Sequence, residues 1–258
     1  MKKLVILLLL FTIILLPTTN YVFADKTKEV VKASALQIGE KLNYAIKWNG
    51  LLAAKMSLQT EKATKENKPF YRLELKLATV GLARDIFELN NHYTAFVDTK
   101  TNLPTIVERQ LQQGTKPEQS ILIYDQEKHT VKVANEKPIA ILPKTQDLSS
   151  ILWAIRTASL NPDGERIALF NASDKKTSFI EVALGSVEEI NSPTGKTTAR
   201  ELIVRLEDQE KVLSDKYSIR VWVSDDKQRI PLLITAKPSF GKVTIELLKS
   251  DEEETANK

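Results

Sequence analysis

The chain has 258 residues, of which 27% are charged and none is cysteine, and its formal net charge is +4 at pH 7. The absence of cysteine excludes a disulfide framework and a lipidated cysteine at the start of a mature chain. Charges of both signs are mixed along the sequence, so the composition gives no case for nucleic-acid binding or for a polybasic membrane patch.

The first 24 residues follow the order of a secretory signal peptide. Lys2 and Lys3 precede an apolar run from Leu4 to Leu16, and Val22 and Ala24 occupy the two small positions before a cleavage site. This run is shorter than the roughly 20 residues that span a bilayer as a helix, which makes a retained anchor the weaker alternative. We therefore predict export with cleavage after Ala24, no retained transmembrane span, and a periplasmic or otherwise secreted protein.

The mature chain is predicted to hold a single folded domain. Removing residues 1–24 takes away two lysines and no acidic residue, so the formal charge falls from +4 to +2. We divide the remainder into a flexible N-terminal segment (25–37), a single β-rich domain (38–249) and an acidic tail (250–258). A domain of that length can bury a large core.

Alternation with a period of two residues dominates the domain and predicts half-buried β-strands. We count about a dozen such runs, joined by short stretches that contain glycine, asparagine or proline, such as Asn49-Gly50. These turn residues predict antiparallel pairing between neighbouring runs. The clearest single faces are Leu42, Tyr44, Ile46 and Trp48; Tyr71, Leu73, Leu75 and Leu77; and Tyr217, Ile219, Val221 and Val223.

One segment in the middle of the chain has helical spacing instead. Asp147 is a suitable N-cap, Asn161 to Gly164 is a suitable end, and the apolar residues between them are Leu148, Ile151, Leu152 and Ile155. A single amphipathic helix of about 11 residues among strands must lay its apolar face against a sheet. The predicted fold is therefore mainly β: a strongly curved antiparallel sheet or half-open β-barrel with one short amphipathic helix packed on it.

Two adjacent carboxylates, Asp225 and Asp226, raise the question of paired catalytic acids. Catalytic carboxyl groups must converge on one substrate, whereas adjacent residues point to opposite faces of a strand or splay towards solvent in a turn. A similar pattern surrounds Asp98, with Pro104 in the place that Pro231 takes in the other copy. We predict one type of hairpin used twice, and no catalytic residue.

The other polar candidates favour structural roles. His92 and His129 lack the repeated ligand spacing of a metal site, so we predict no metal and no cofactor. His92 is expected to be partly buried and hydrogen-bonded, and His129 to be exposed beside a turn. Ser149 and Ser150 are expected to support the start of the helix, because no glycine-flanked nucleophile motif surrounds them.

The three tryptophans are the candidate ligand contacts. Trp48, Trp153 and Trp222 belong to two predicted strands and the helix, where they either fill the core or line a groove for acyl chains or sugar rings. Trp222 is the strongest candidate, because the aliphatic residues on either side of it occupy the opposite face of its strand.

Short motifs follow one another along the domain: Gly39 to Tyr44, Trp48 to Gly50, Phe96 to Asp98 with Leu103-Pro104, Asp147 to Ser150 with Arg156-Thr157, Pro193 to Gly195, Trp222 to Asp226 with Arg229 to Pro231, and Phe240-Gly241. The order of these motifs resembles an exported bacterial family of unknown function, DUF3108. The hydrophobic-Val-Asp and Leu-Pro hairpins also resemble those of periplasmic lipoprotein carriers, half-open barrels that hold acyl chains, and that resemblance implies a concave apolar surface. Neither resemblance supplies catalytic residues.

Three functions remain open at this point. The first is an exported, non-enzymatic protein that binds an apolar ligand or an envelope protein on its curved sheet and serves the maintenance of the cell envelope, with a lipid or lipoprotein as partner. The second is a structural or interaction domain without a small-molecule site. The third is a hydrolase acting on envelope polysaccharide.

Overall fold

The computed structural model describes residues 37–133, 135–158, 164–173, 175–193, 195–206, 219–238 and 241–249. The predicted signal peptide with its cleavage site after Ala24, the predicted N-terminal segment up to residue 36, and the predicted acidic tail lie outside the described residues. So do residues 159–163, which include most of the predicted end of the helix, and Tyr217.

Fourteen strands and two short helices make up the regular structure of the described ranges. The helices are α1 (Gly81–Ile86) and α2 (Ile151–Thr157). The strands are β1 (Lys41–Trp48), β2 (Leu51–Lys65), β3 (Lys68–Thr79), β4 (Leu89–Asp98), β5 (Pro104–Gln113), β6 (Lys116–Asp125), β7 (Thr130–Val133), β8 (Ile139–Ala140), β9 (Glu165–Asn171), β10 (Lys176–Ser192), β11 (Gly195–Leu206), β12 (Ile219–Ser224), β13 (Pro231–Ala236) and β14 (Val243–Leu247).

All fourteen strands belong to one antiparallel sheet in the order β8-β7-β6-β5-β4-β3-β2-β1-β14-β13-β12-β11-β10-β9. Strands that follow one another in the chain are neighbours in the sheet, except β8 and β9, which form its two edges. The first and last strands, β1 and β14, also pair with each other. The strands do not close into a barrel by pairing within the described residues. The predicted fold class, a curved antiparallel sheet with a short helix, is confirmed.

Short turns fix the register between neighbouring strands. Asn49 and Gly50 connect β1 to β2 and have φ angles of 49° and 85°. Positive φ at both central residues is the signature of the turn whose twist matches that of the flanking strands, and glycine adopts it without steric cost.

The two predicted copies of one hairpin share the same turn chemistry. Oδ1 of Asp98 accepts hydrogen bonds from the backbone N–H of Lys100 and of Thr101, each at 2.9 Å. Oδ1 of Asp226 accepts from the backbone N–H of Gln228 at 2.8 Å and of Arg229 at 3.1 Å. Both aspartates therefore hold a corner in place, as the sequence pattern predicts.

The prolines of the two hairpins also occupy equivalent places. Val97 pairs with Pro104, and Val223 pairs with Pro231, each directly after a shift in register between the two strands. Proline has no N–H to give to a ladder, so a position at the start of a strand beside a bulge is compatible with it.

The concave face of the sheet carries the main core. Residues that alternate along the strands point inward and form one apolar cluster with the buried face of α2. Its least exposed large members are Tyr44, Leu58, Leu73, Leu75, Leu122, Leu202, Val97, Val107, Val131, Val182 and Val223.

Helix α2 is shorter than the predicted 11 residues. It has seven residues and begins at Ile151, because a turn occupies residues 148–150. The N-cap is therefore Ser150 and not Asp147. The carboxylate of Asp147 instead accepts hydrogen bonds within the turn that precedes the helix. The predicted apolar face is correct: Ile151, Leu152 and Ile155 are buried, and Leu148 is partly buried against the core.

Polar contacts fasten α2 to one end of the sheet. The guanidinium of Arg156 pairs with the carboxylate of Glu40, just before β1. The indole Nε1–H of Trp153 donates to Oγ1 of Thr60 in β2 at 2.8 Å. Arg156 and Glu40 are 116 residues apart in the sequence, and Trp153 and Thr60 are 93 residues apart. These contacts therefore join the helix to the sheet and not to its neighbours in the chain.

The segment between β8 and α2 lies between the two sheet edges. The backbone N–H of Ile141 donates to the carbonyl of His129 beside β7. Farther on, Gln146 exchanges two backbone hydrogen bonds with β9, donating to Ala168 at 2.7 Å and accepting from Phe170 at 2.9 Å. One short connection thus contacts both edges of an open sheet.

Candidate functional site

A cavity of about 200 Å³ lies between the concave face of the sheet and helix α2. An apolar cavity of about 150 Å³ is large enough to hold a benzene molecule. Pockets for drug-sized ligands have volumes of roughly 300 to 1,000 Å³, so this cavity suits a smaller ligand.

One wall of the cavity is aliphatic. It is formed by β1 and by the strands from β10 to β14, whose inward side chains alternate with those on the convex face. The residues of this wall are Ile46, Ile180, Val204, Ile219, Val221, Ile234, Ala236, Val243 and Ile245.

The opposite wall carries polar side chains among its apolar ones. Tyr93 in β4, Arg109 in β5 and Tyr124 in β6 all line the cavity and are buried. Burial raises the pKa of both tyrosines, so each phenol keeps its proton and can donate a hydrogen bond. The cavity is therefore polar on one side and aliphatic on the other.

Asp147 lies at the edge of this polar wall, at the start of the turn that leads into α2. Its Oδ1 accepts hydrogen bonds from the backbone N–H of Ser149, at 2.6 Å, and from the Ser149 hydroxyl. Its Oδ2 accepts from the Ser150 hydroxyl at 3.0 Å. Burial raises the pKa of Asp147 although these hydrogen bonds act in the opposite direction. Ser149 and Ser150 thus support the start of the helix, as predicted.

Two buried polar atoms on this wall have no hydrogen-bond partner among the described residues: Nε of Arg109 and the hydroxyl of Tyr124. Arg109 makes one long contact, from its terminal nitrogen Nη2 to Oε1 of Glu118 at 3.4 Å, and the Glu118 side chain is 63% exposed. The Tyr124 ring packs edge-on against Phe170, with centroids 6.2 Å apart. A buried donor without an acceptor costs about 1 to 3 kcal/mol, so these atoms are poised to bind an acceptor.

The cavity reaches the surface at the end of the sheet opposite the Arg156–Glu40 pair. Its lining there includes half-buried Ala83 in α1 and exposed Ser173 after β9. Four large apolar side chains stand exposed near this opening, and we call them the apolar rim. The apolar rim consists of Leu51 (75% exposed), Leu52 (47%), Leu82 (81%) and Ile86 (60%).

None of the three candidate tryptophans lines this cavity. Trp222 is buried on the convex face, where it packs with Leu232 and others and donates from Nε1 to Glu188. Trp153 is buried in the core with its Nε1–H on Thr60, and Trp48 packs partly buried at the edge of the core. Trp222 thus lies on the face opposite Ile219, Val221 and Val223, as the alternation in β12 predicts. A ligand contact at Trp222 stays a prediction, and it would require a site on the convex face.

The remaining polar candidates lie outside the cavity. His92 is 30% exposed and lies 2.7 Å from Oε1 of Glu74, and His129 is exposed in a turn. Asp225 pairs with Arg200 at 2.8 Å near the corner that Asp226 holds. Nowhere in the described ranges do three or more side chains of metal-binding type lie together, and neither helix there has the length and apolarity needed to cross a bilayer.

Sequence reasoning missed Arg109, although the strand pattern contains it. Val107, Arg109 and Leu111 alternate along β5, so the arginine shares the inward face with two buried aliphatic residues. A charged residue in an inward position is the signal that was available. The sequence pattern could place Asp147, Tyr93 and Tyr124 on the core side. It could not show that they line the same cavity as Arg109.

A family model and solved structures match the chain. The model of DUF3108, a family of proteins of unknown function, matches residues 43–248. No curated protein matches the chain. A β-barrel-like protein of the domain of unknown function DUF1849 from Brucella abortus is similar in structure, with a TM-score of 0.51 and 12% identity over 81% of this chain and 95% of that one. A duf1089 family protein from Pseudomonas aeruginosa matches with a TM-score of 0.41 and 11% identity over 75% and 93%.

Proposed function

Because the chain belongs to DUF3108, a family of proteins of unknown function, we propose a function from the site itself. The protein is an exported, non-enzymatic binding protein that holds an apolar ligand inside its curved sheet and serves the maintenance of the cell envelope. The single observation that carries this proposal is the cavity, whose aliphatic wall and open end suit an apolar molecule.

The depth of the cavity favours binding inside the sheet over binding on its surface. The cavity is lined from three different strands by Ile46, Val221 and Ile234, and each of these side chains is less than 10% exposed to solvent. Transfer of apolar ligand surface from water onto such a wall is favourable by about 25 cal/mol for each Å² buried. An apolar chain gains more from this wall than a polar molecule can.

The apolar rim supports entry of the ligand from a lipid environment or a lipid-bearing partner. Leu82 and Ile86 belong to a helix without a buried residue, and Ala83 between them lines the cavity. Large exposed apolar side chains that continue into a cavity form one path from the surface to the interior. A ligand that follows it stays in contact with apolar groups.

We propose binding rather than catalysis because the carboxylate nearest the cavity is engaged in structure. Both oxygens of Asp147 accept hydrogen bonds from the turn that starts α2. A general base must instead be free to reach a substrate proton.

Native mass spectrometry of protein purified from the exported fraction tests the proposal. We expect a reproducibly bound lipid or, after delipidation, binding of added dodecan-1-ol with a single site. The variant Ala54→Phe adds a ring to a fully buried position on the cavity wall and should weaken that binding at least about tenfold. Ile121→Phe, at an exposed position away from the cavity and the apolar rim, is the matched control for an added ring.

Two results would contradict the proposal. The first is an empty protein that binds no alcohol, which would favour a structural or interaction domain. The second is equal binding by the Ala54→Phe variant, folded as judged by circular dichroism, which would place the apolar ligand outside the cavity. An activity on envelope polysaccharide that Asp226→Asn abolishes would instead support the hydrolase alternative.

A further inference from the structure

The polar wall of the cavity shows a built site for one end of a ligand. Arg109 is 9% exposed and Tyr124 is 5% exposed, and both line a cavity that is otherwise largely apolar. Because Nε of Arg109 and the Tyr124 hydroxyl lack partners among the described residues, two unpaired donors line the same cavity. Tyr93 adds a second phenol, whose oxygen accepts from Nδ2 of Asn91 at 3.3 Å and whose proton can be donated.

We propose that the ligand is a single-chain fatty acid, bound with its carboxylate against Arg109 and Tyr124 and its acyl chain along the aliphatic wall. This inference rests on the proposed function and names the ligand class for the same cavity. The planar guanidinium presents its N–H groups in a fork that matches a carboxylate, and the phenol adds a donor to the same anion.

The charges around Arg109 leave room for this anion. Glu118 is the only carboxylate within ion-pair distance of Arg109 in the described ranges, and the contact is a single one at 3.4 Å to a side chain that is 63% exposed. Exposed pairs of this kind contribute little. The other carboxylate near the wall, Asp147, is buried, and both of its oxygens accept hydrogen bonds from the turn before α2. Burial raises its pKa. A ligand carboxylate therefore meets a cation whose charge is weakly compensated.

The size of the cavity favours one acyl chain over two. About 200 Å³ is below the usual volume of a drug-sized pocket, and the space opens at one end beside α1, where the remainder of a long chain can extend along the apolar rim. A diacyl lipid would require both chains to share a space that suits one.

Isothermal titration calorimetry of the delipidated protein with dodecanoate and with dodecan-1-ol tests the inference, because the two probes differ only in the head. We expect the wild-type protein to bind dodecanoate at least about tenfold more tightly than the alcohol, since a hydrogen bond to a charged group is worth at least that factor. Arg109→Met keeps a long apolar side chain and removes the fork, so the two affinities should become equal within about twofold. Affinity for the alcohol should not change.

Two further variants keep the test decisive. Tyr124→Phe removes only the hydroxyl and should lower affinity for dodecanoate about threefold, even if Arg109→Met fails to fold. Arg200→Met removes an arginine of β11 that pairs with Asp225 outside the cavity, and it is the matched control that should leave both affinities unchanged. Thermal unfolding of each variant by circular dichroism establishes that it is folded.

The outcomes separate the inference from the function on which it rests. Equal binding of acid and alcohol by the wild-type protein overturns recognition of the carboxylate and leaves an apolar-binding protein. Binding of neither probe overturns both. Exclusive extraction of diacyl phosphatidylglycerol from vesicles, with dodecanoate unbound, overturns the single-chain ligand while the cavity keeps its apolar role.

Discussion

Arg156 and Glu40 form a bidentate ion pair that joins helix α2 to the start of β1, with Nη1 to Oε2 at 2.5 Å and Nη2 to Oε1 at 2.8 Å. Both side chains are less than 10% exposed, and Nε of Arg156 also donates to the carbonyl of Gln228 at 3.1 Å. Two parts of the chain that are 116 residues apart are thus held together at the end of the sheet opposite the opening.

Breaking this pair from one side should be costly. We expect Arg156→Met or Glu40→Gln alone to lower the free energy of unfolding by about 3 to 5 kcal/mol, because each leaves a buried group without its partner. The double variant should lose less than the sum of the two, as groups in direct contact do. Urea denaturation of the four proteins measures the coupling.

An exposed ion pair supplies the control for that experiment. Arg200 and Asp225 pair at 2.8 Å, but each side chain is 35% exposed. Arg200→Met should therefore cost less than about 1 kcal/mol. Equal losses for Arg156→Met and Arg200→Met would mean that the buried pair does not fasten the helix.

The packing of α2 gives a second prediction. Leu152 is 8% exposed and also lines the cavity, so Leu152→Ala removes apolar contacts on one side and enlarges an existing space on the other. We expect a loss of about 2 kcal/mol, at the lower end of the range for such changes. Leu82→Ala, at an 81% exposed position, should stay within about 0.5 kcal/mol. A loss below about 0.5 kcal/mol for Leu152→Ala would identify α2 as a detachable lid.

The buried carboxyl of Asp147 predicts a dependence of stability on pH. Burial raises its pKa above the ordinary value of 3.8, so above pH 3.8 the folded state retains a proton that the unfolded chain has released. Stability from this group should fall as pH rises from about 3.8 to the folded-state pKa and stay level beyond it, by about 1.4 kcal/mol for each unit of the rise.

Asp147→Asn, which cannot ionise, makes that dependence measurable. The difference in unfolding free energy between the variant and the wild-type protein should grow in favour of the variant as pH rises through this window. Asp85→Asn on exposed α1 controls for the loss of one carboxyl group from the surface. Parallel pH profiles for Asp147→Asn and the wild-type protein would show that Asp147 ionises as readily in the folded state as in the unfolded one.

The position of Trp222 on the convex face gives a fourth prediction. Trp222→Phe removes the hydrogen bond to Glu188 and part of a small cluster with Ile190 and Leu232, so stability should fall. Affinity for dodecan-1-ol should remain within about twofold of the wild-type value, because the indole does not line the cavity. A tenfold loss of affinity in a folded variant would place the ligand on the convex face instead.

Much of the strand architecture could be read from the alternation of residues. Leu42, Tyr44 and Ile46 share the buried face that the pattern assigns to them, and so do Leu73, Leu75 and Leu77. The alternation has a period of two because successive side chains of a strand point to opposite faces, so local order alone decides which residues face the core. Helix α1 was not predicted, since its six residues bury no side chain and so leave no apolar pattern.

The corner at Asp226 was also predictable, since an aspartate that holds a turn acts through backbone groups only a few residues away. The length of α2 was not, because Asp147 satisfies the rules for an N-cap locally while the structure continues with a turn up to Ser150.

The sequence by itself determined the strands, their buried faces and the repeated hairpin, because each depends on neighbours in the chain. Only the tertiary structure decided that β1 pairs with β14, that α2 packs into the curve of the sheet, and that Arg109 and Tyr124 line one cavity. These relationships join residues far apart in sequence. No local periodicity encodes which strands become neighbours or how much space a helix leaves beneath it.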